Sequence, residues 1–269
     1  MSGGKRKPGR LFKYFALLAP FLVWPRAVAL SEDTVQIVFA LPASTVSANE
    51  PVYLRLSIDN GLAQEVRFAP APLNDSYFDI AVTEPAGSIK TPGPVVSGLS
   101  HVGTIVVPPN ESRAKLLLIN RRYQFSQPGE YKLRVWLNGA VYTASGERIS
   151  SGIQDLTLRV APRDQNRLEE ACERLAKAAA GYKNYGALRE AADTLSLIQD
   201  SAAVPYLGQV LGYHNYVSEI AVKGLVRIGG VEAVQVLKSN LSTADPELRM
   251  KIEAGIREIE TGQHAQTAD

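Results

Sequence analysis

The sequence predicts two consecutive domains, an all-β antiparallel sandwich followed by an all-α array of about three helix pairs. Three observations carry this. Residues 31–162 alternate apolar and polar side chains in short runs broken by Pro, Gly, Asn and Ser. Residues 164–261 change to three-and-four apolar spacing rich in Ala, Leu, Glu and Lys. Apolar positions in that second stretch recur about every thirty residues. Period two marks half-buried strands, period 3.6 a buried helix face, and a fixed longer period a stack of similar units.

Residues 1–29 stand outside both patterns. Lys5, Arg6, Lys7, Arg10 and Lys13 precede the uncharged run Tyr14 to Trp24, and Ala27-Val28-Ala29 follows. A basic start, a short apolar run and an A-x-A site are the parts of a secretory signal peptide. The run is shorter than the ~20 residues a spanning helix needs. Cleavage is expected after Ala29, giving an extracytoplasmic (periplasmic or secreted) protein with no stable membrane insertion.

The strand region reads in order. Thr34 to Leu41 ends at Pro42, and Pro51 to Ile58 ends at the turn-forming Asp59-Asn60-Gly61. Gln64 to Phe68, Phe78 to Val82, Thr104 to Val107, Lys115 to Leu118, Glu130 to Leu137 and Asp155 to Val160 follow, with Val141 to Ala144 as a hairpin partner of Glu130 to Leu137. Short strands at this spacing favour an antiparallel sandwich over a parallel βαβ sheet. In Tyr131 to Leu137 the alternation sends Tyr131, Leu133, Val135 and Leu137 to one face and Lys132, Arg134 and Trp136 to the other. Trp136 therefore lies on the outer face or under a neighbouring element. Arg121-Arg122-Tyr123 is either an anion-binding group or a solvated strand end. The Pro- and Gly-rich Thr91 to His101 reads as a long loop.

Pro128-Gly129-Glu130-Tyr131 resembles the P-G-x-Y lead into a late strand of immunoglobulin-like domains. The resemblance implies an immunoglobulin-like antiparallel β-sandwich, with the Tyr131 hydroxyl tied back to a nearby loop. There is no Cys…Trp…Cys framework, so an antibody-type domain is excluded. The similarity is to bacterial accessory modules of exported proteins.

The helical region begins after Ala161-Pro162-Arg163 with the capping residues Asp164-Gln165-Asn166. Helices are expected over Arg167 to Ala180, Tyr185 to Ile198, Ala202 to Leu211, Val217 to Ile228, Val231 to Leu241 and Pro246 to Ile259. Ala191, Leu195, Ile198, Ala203, Val204 and Leu207 recur as Ala221, Leu225, Ile228, Ala233, Val234 and Leu237, and in part as Ile252, Ile256 and Ile259. The phrases Ala202 to Leu207 and Ala221 to Gly230 resemble short bacterial HEAT-like repeats. That resemblance implies a HEAT-like α-solenoid and protein binding along its surface. Residues 262–269 are polar and aperiodic and read as a disordered tail.

Chemistry is sparse. The single cysteine, Cys172, falls on an apolar helix stripe, which gives a thiol neither access nor a lowered pKa. His101, His214 and His264 lie far apart, so no metal site is predicted. No hydrolase elbow, zinc-protease or phosphate-loop motif is present. No enzyme activity and no cofactor are expected. Tyr182, Tyr185, Tyr206, Tyr213 and Tyr216, with His214, cluster near helix ends and are the candidate protein-binding residues, because Tyr offers large contact area at low entropic cost. The expected function is an exported, non-catalytic protein-binding or scaffolding module with a protein partner. Two alternatives stand beside it. One is a lyase-like or chromophore-handling protein of the HEAT-like group, which export disfavours. The other is glycan or cell-wall binding through the β-sandwich.

Charge argues against nucleic acid. The chain carries 29 Lys and Arg against 27 Asp and Glu. Six of those bases lie in residues 1–29, which hold no acid, so 23 face 27 beyond them. Residues 164–269 account for the excess, with 11 basic against 15 acidic. Nucleic-acid binders show the opposite balance.

Overall fold

The computed structural model describes residues 34–70, 77–93, 104–149, 151–180, 185–213 and 215–262. Residues 1–29, expected to be a signal peptide, most of the Thr91 to His101 stretch, Tyr182, His214 and residues 263–269 lie outside them. In chain order the strands are β1 (Val35–Ala40), β2 (Thr45–Ser47), β3 (Tyr53–Asn60), β4 (Val66–Pro70), β5 (Phe78–Thr83), β6 (Ile89–Lys90), β7 (Ile105–Val107), β8 (Ser112–Leu118), β9 (Gly129–Leu137), β10 (Gly139–Thr143), β11 (Arg148–Ile149) and β12 (Gln154–Ala161). The helices are α1 (Gln165–Ala179), α2 (Tyr185–Ser196), α3 (Val204–Val210), α4 (Asn215–Ile228), α5 (Gly230–Asn240) and α6 (Pro246–Thr261), with 3-10 turns at Ile119–Arg121 and Ser201–Ala203.

This architecture corrects the expected fold class. The strands form three sheets rather than the two of an immunoglobulin-like sandwich: β1-β3-β8, β11-β10-β4-β7 and β2-β12-β9-β5-β6. The β2–β12 pairing is parallel. Six helices follow, giving a mixed α and β fold. No HEAT-like solenoid of helix pairs is evident. The helices are unequal, from the seven residues of α3 to the sixteen of α6. The thirty-residue period reports which faces are buried (Leu195, Leu225 and Ile256 all point inward) but not how helices stack.

The hairpin expected across Asn138-Gly139 is also absent. β9 pairs with β5 and β12, whereas β10 pairs with β4 and β11. The chain changes sheets at Gly139, whose φ of 138° is a conformation that side chains oppose. Asp59 and Asn60 belong to β3 rather than to a turn. Asn60 is buried, and its amide donates to the carbonyls of Gln64, Val107 and Pro108. That clamp ties the end of β7 and two loop carbonyls to the end of β3, where their burial without a donor would be costly.

Two apolar cores result. Phe39, Leu54, Phe68, Ile80, Phe125 and Tyr131 lead the one between the strands. Tyr131 donates from its hydroxyl to the Gln127 carbonyl at 2.9 Å, the local tie its P-G-x-Y setting implies. Leu168, Leu195, Leu207, Leu225, Leu237 and Ile252 lead the core between the helices. Two helices start where a side chain meets an orphan N–H: Asp164 accepts from Arg167 N in α1, and Asp245 from Leu248 N in α6.

The halves are joined by polar contacts. Ser47 Oγ accepts from Asp164 N at 2.8 Å. Glu50 pairs with Arg167 at 2.9 Å, and Arg121 with Asp193 at 3.2 Å. Asp200 accepts from Arg163 and from Asn49.

Candidate functional site

Of the six residues proposed for binding, the described residues place two side chains. Tyr206 in α3 and Tyr213 just after it are half-buried and pack against the helical core. Burial pushes the Tyr206 hydroxyl above its ordinary pKa, helped by the charges of Glu169 and Glu173. Tyr185 and Tyr216 lie in α2 and α4, but their side chains fall outside the described residues, as do Tyr182 and His214 altogether.

Cys172 is fully buried in α1, and burial pushes its thiol up to about 12. Among the described residues no group of three His, Cys, Asp or Glu side chains converges on a possible metal position. The Arg121-Arg122-Tyr123 group is structural. Arg122, with 2% of its side chain exposed, pairs with Asp79 at 2.9 Å and donates to the Phe78 carbonyl at 2.5 Å. Tyr123 donates to Glu84 at 2.5 Å, and burial with that bond holds its hydroxyl protonated far into the alkaline range. None of the three is left over for an anion.

A concave feature lies elsewhere among the described residues, on the outer face of the five-stranded sheet. Alternation along β9 buries Tyr131, Leu133, Val135 and Leu137 and turns Arg134 and Trp136 outward. Trp136 is half-buried. It stands opposite Asp79 of β5, and Arg134 stands opposite Ala81 of β5 and Asp155 of β12. The chain then leaves the sheet at Gly139 and returns through β11 and residues 151–153 before β12. That excursion raises a second wall, carrying Arg148, Ile149, Ser151 and Ile153, across from Trp136. The groove between them has a volume of about 670 Å³, within the range of ordinary ligand sites.

Its charges are unequal. Arg134 forks onto Asp155, with Nε 2.9 Å and Nη2 3.4 Å from the two oxygens. The bond holds Asp155 below the ordinary carboxylate range. Asp79 is neutralised by Arg122. The Arg148 side chain is exposed and has no hydrogen-bond or ion-pair partner among the described residues. Apart from Trp136 and the Ser151 hydroxyl, the remaining described lining is apolar, and Ile153 is 64% exposed. Such a surface can hold an apolar group against the indole and place an anion on a guanidinium.

The outward setting of Trp136 was legible from period two. Its cover was not: the wall comes from β11 and the segment after it rather than from the helical half. β11 has two residues, too few for alternation to show.

No protein-family model matches the chain, and no curated protein does either. Solved structures overlap it loosely. A structural-genomics target has a TM-score of 0.32 at 14% identity, over 48% of this chain and 89% of its own. An ApaA protein from Bordetella pertussis has 0.30 at 14%, over 47% and 92%. Spo0M, a sporulation control protein from Bacillus subtilis, has 0.27 at 12%, over 52% and 55%. Overlaps this loose carry no argument.

Proposed function

We propose that the chain is an exported, non-catalytic protein-binding module, and that the groove beside Trp136 receives a segment of its protein partner. One observation carries the reading: an indole, an arginine with no partner among the described residues, and an exposed isoleucine face one open groove. Trp and Arg are the residues over-represented where interfaces concentrate their binding energy. The leader-like residues 1–29 support export, and the acidic balance beyond them disfavours nucleic acid. No cofactor enters this reading. A glycan is less well matched. Sugar hydroxyls are usually held by amide and carboxylate groups as well as a stacking ring, and the described lining side chains include no amide or carboxylate.

The test is photocross-linking in the native cell envelope from a benzoylphenylalanine placed at Ile153. A discrete protein adduct that disappears with Trp136→Ala is expected. An adduct pattern indifferent to Trp136→Ala would remove the groove from the reading.

A further inference from the structure

Resting on the protein-binding reading above, we infer that the partner segment is acidic and apolar together, with an apolar side chain laid on Trp136 and a carboxylate paired with Arg148. The argument is charge complementarity. Two guanidinium groups border the groove, and they are not equivalent. Arg134 is already forked onto Asp155, and the acid opposite Trp136, Asp79, is held by the buried Arg122. The uncompensated charge beside the indole is therefore that of Arg148.

A guanidinium presents parallel N–H donors that match a carboxylate in two-bond geometry. Among the described residues the lining side chains supply no carboxylate or amide acceptor, and Ser151 adds only a hydroxyl. A lysine- or arginine-rich segment would meet a like charge with no acid to answer it. A purely apolar segment would leave the guanidinium without a partner. Ile149 and Ile153 supply the opposing apolar wall, and the 64% exposure of Ile153 leaves contact area that an aliphatic or aromatic side chain could cover.

The experiment is selection of phage-displayed random dodecapeptides on the full chain, with Trp136→Ala as the counter-selecting surface. Expected are peptides that combine Asp or Glu with an apolar residue and lose affinity about tenfold or more with Arg148→Gln. Arg148→Lys should recover part of that loss, and added salt should weaken binding. Arg148 is exposed, so these variants keep the test independent of folding. Groove-dependent peptides that are uncharged or basic would overturn the acidic assignment and leave the protein-binding reading standing. Absence of any peptide lost with Trp136→Ala would overturn both. Binding to arrayed glycans, or self-association of the chain, that is abolished by Trp136→Ala would give the groove to those occupants and overturn the inference.

Discussion

Arg163 forks onto Asp200, with Nε 2.6 Å from one carboxylate oxygen and Nη2 2.8 Å from the other. Arg163 lies just after the last strand, and Asp200 caps the 3-10 turn that leads into α3. The same carboxylate accepts from Ala202 N at 2.9 Å and from Asn49 at 3.3 Å. One side chain thus serves a cap, a strand-side loop and the linker between the halves. Asp200→Ala leaves Arg163 half-exposed and able to re-solvate, but strands the cap N–H and Asn49. A loss of about 1.5–3 kcal/mol is expected, the range for charged hydrogen bonds. Asp200→Asn, which keeps a cap acceptor, should lose less. Urea unfolding of both variants measures the ranking, and equal losses would refute it.

The same contact gives stability a pH dependence. The Arg163 bond, with those from Ala202 N–H and Asn49, holds the Asp200 carboxyl below its ordinary value. In the window between that lowered value and the unfolded pKa of about 3.9, the unfolded chain binds more protons. Asp200 therefore contributes fully above the unfolded pKa, and the contribution falls away as pH drops through the lowered one. Asp193 acts in the opposite sense. Burial raises its carboxyl, against the pull of Arg121, Arg189 and Lys223. Its contribution is fullest at low pH and is lost as pH rises through the raised value. In thermal melts from pH 3 to 7, the deficit of Asp200→Asn should shrink toward acid, whereas Asp193→Asn should fare relatively better toward neutrality.

Cys172 offers a probe of global unfolding. Its thiol is fully buried and raised to about 12, chiefly by burial and then by the charges of Asp200 and Glu169. A thiolate is needed for attack, so the native protein at pH 8 should be nearly inert to a disulfide reagent. Reaction should appear with the unfolding transition in urea. Fast labelling without denaturant would show that α1 opens locally.

These contacts also show where sequence reasoning succeeds. The six helices of the described residues lie close to their expected positions, because Asp164 marks the start of α1 and the buried stripes of α1 and α6 run for three turns or more. Most strands were legible for the same reason. Sheet membership was not. Whether Gly139 closes a hairpin or sends the chain into another sheet depends on β4, about seventy residues earlier, and no local pattern encodes that partner. β2, β6 and β11 have two or three residues each, too few to alternate. The groove suffers from both limits. Trp136 could be placed on a face, but the wall opposite it exists only because β11 returns there.

Two glycines separate a rigid obstacle from a yielding one. A Cβ on Gly224 of α4 would lie 2.9 Å from the Ser196 Cα, which is backbone, and 3.1 Å from a Leu207 methyl. A Cβ on Gly255 of α6 would lie 2.7 Å from a Val226 methyl and 3.3 Å from a Val222 methyl. Both contacts are too close, yet the cost differs. Alanine gains about 1 kcal/mol over glycine inside a helix. At Gly255 a valine rotation or a small sliding of α6 can relieve the clash, so Gly255→Ala should fall within about 1 kcal/mol of the parent. At Gly224 the α2 backbone itself must move away from α4, opening the core around Leu195 and Leu225. Overpacking of that kind costs about 1–3 kcal/mol. Gly224→Ala should therefore be the more destabilised of the two in urea unfolding. The reverse order would mean that α2 yields more readily than the side chains of α4.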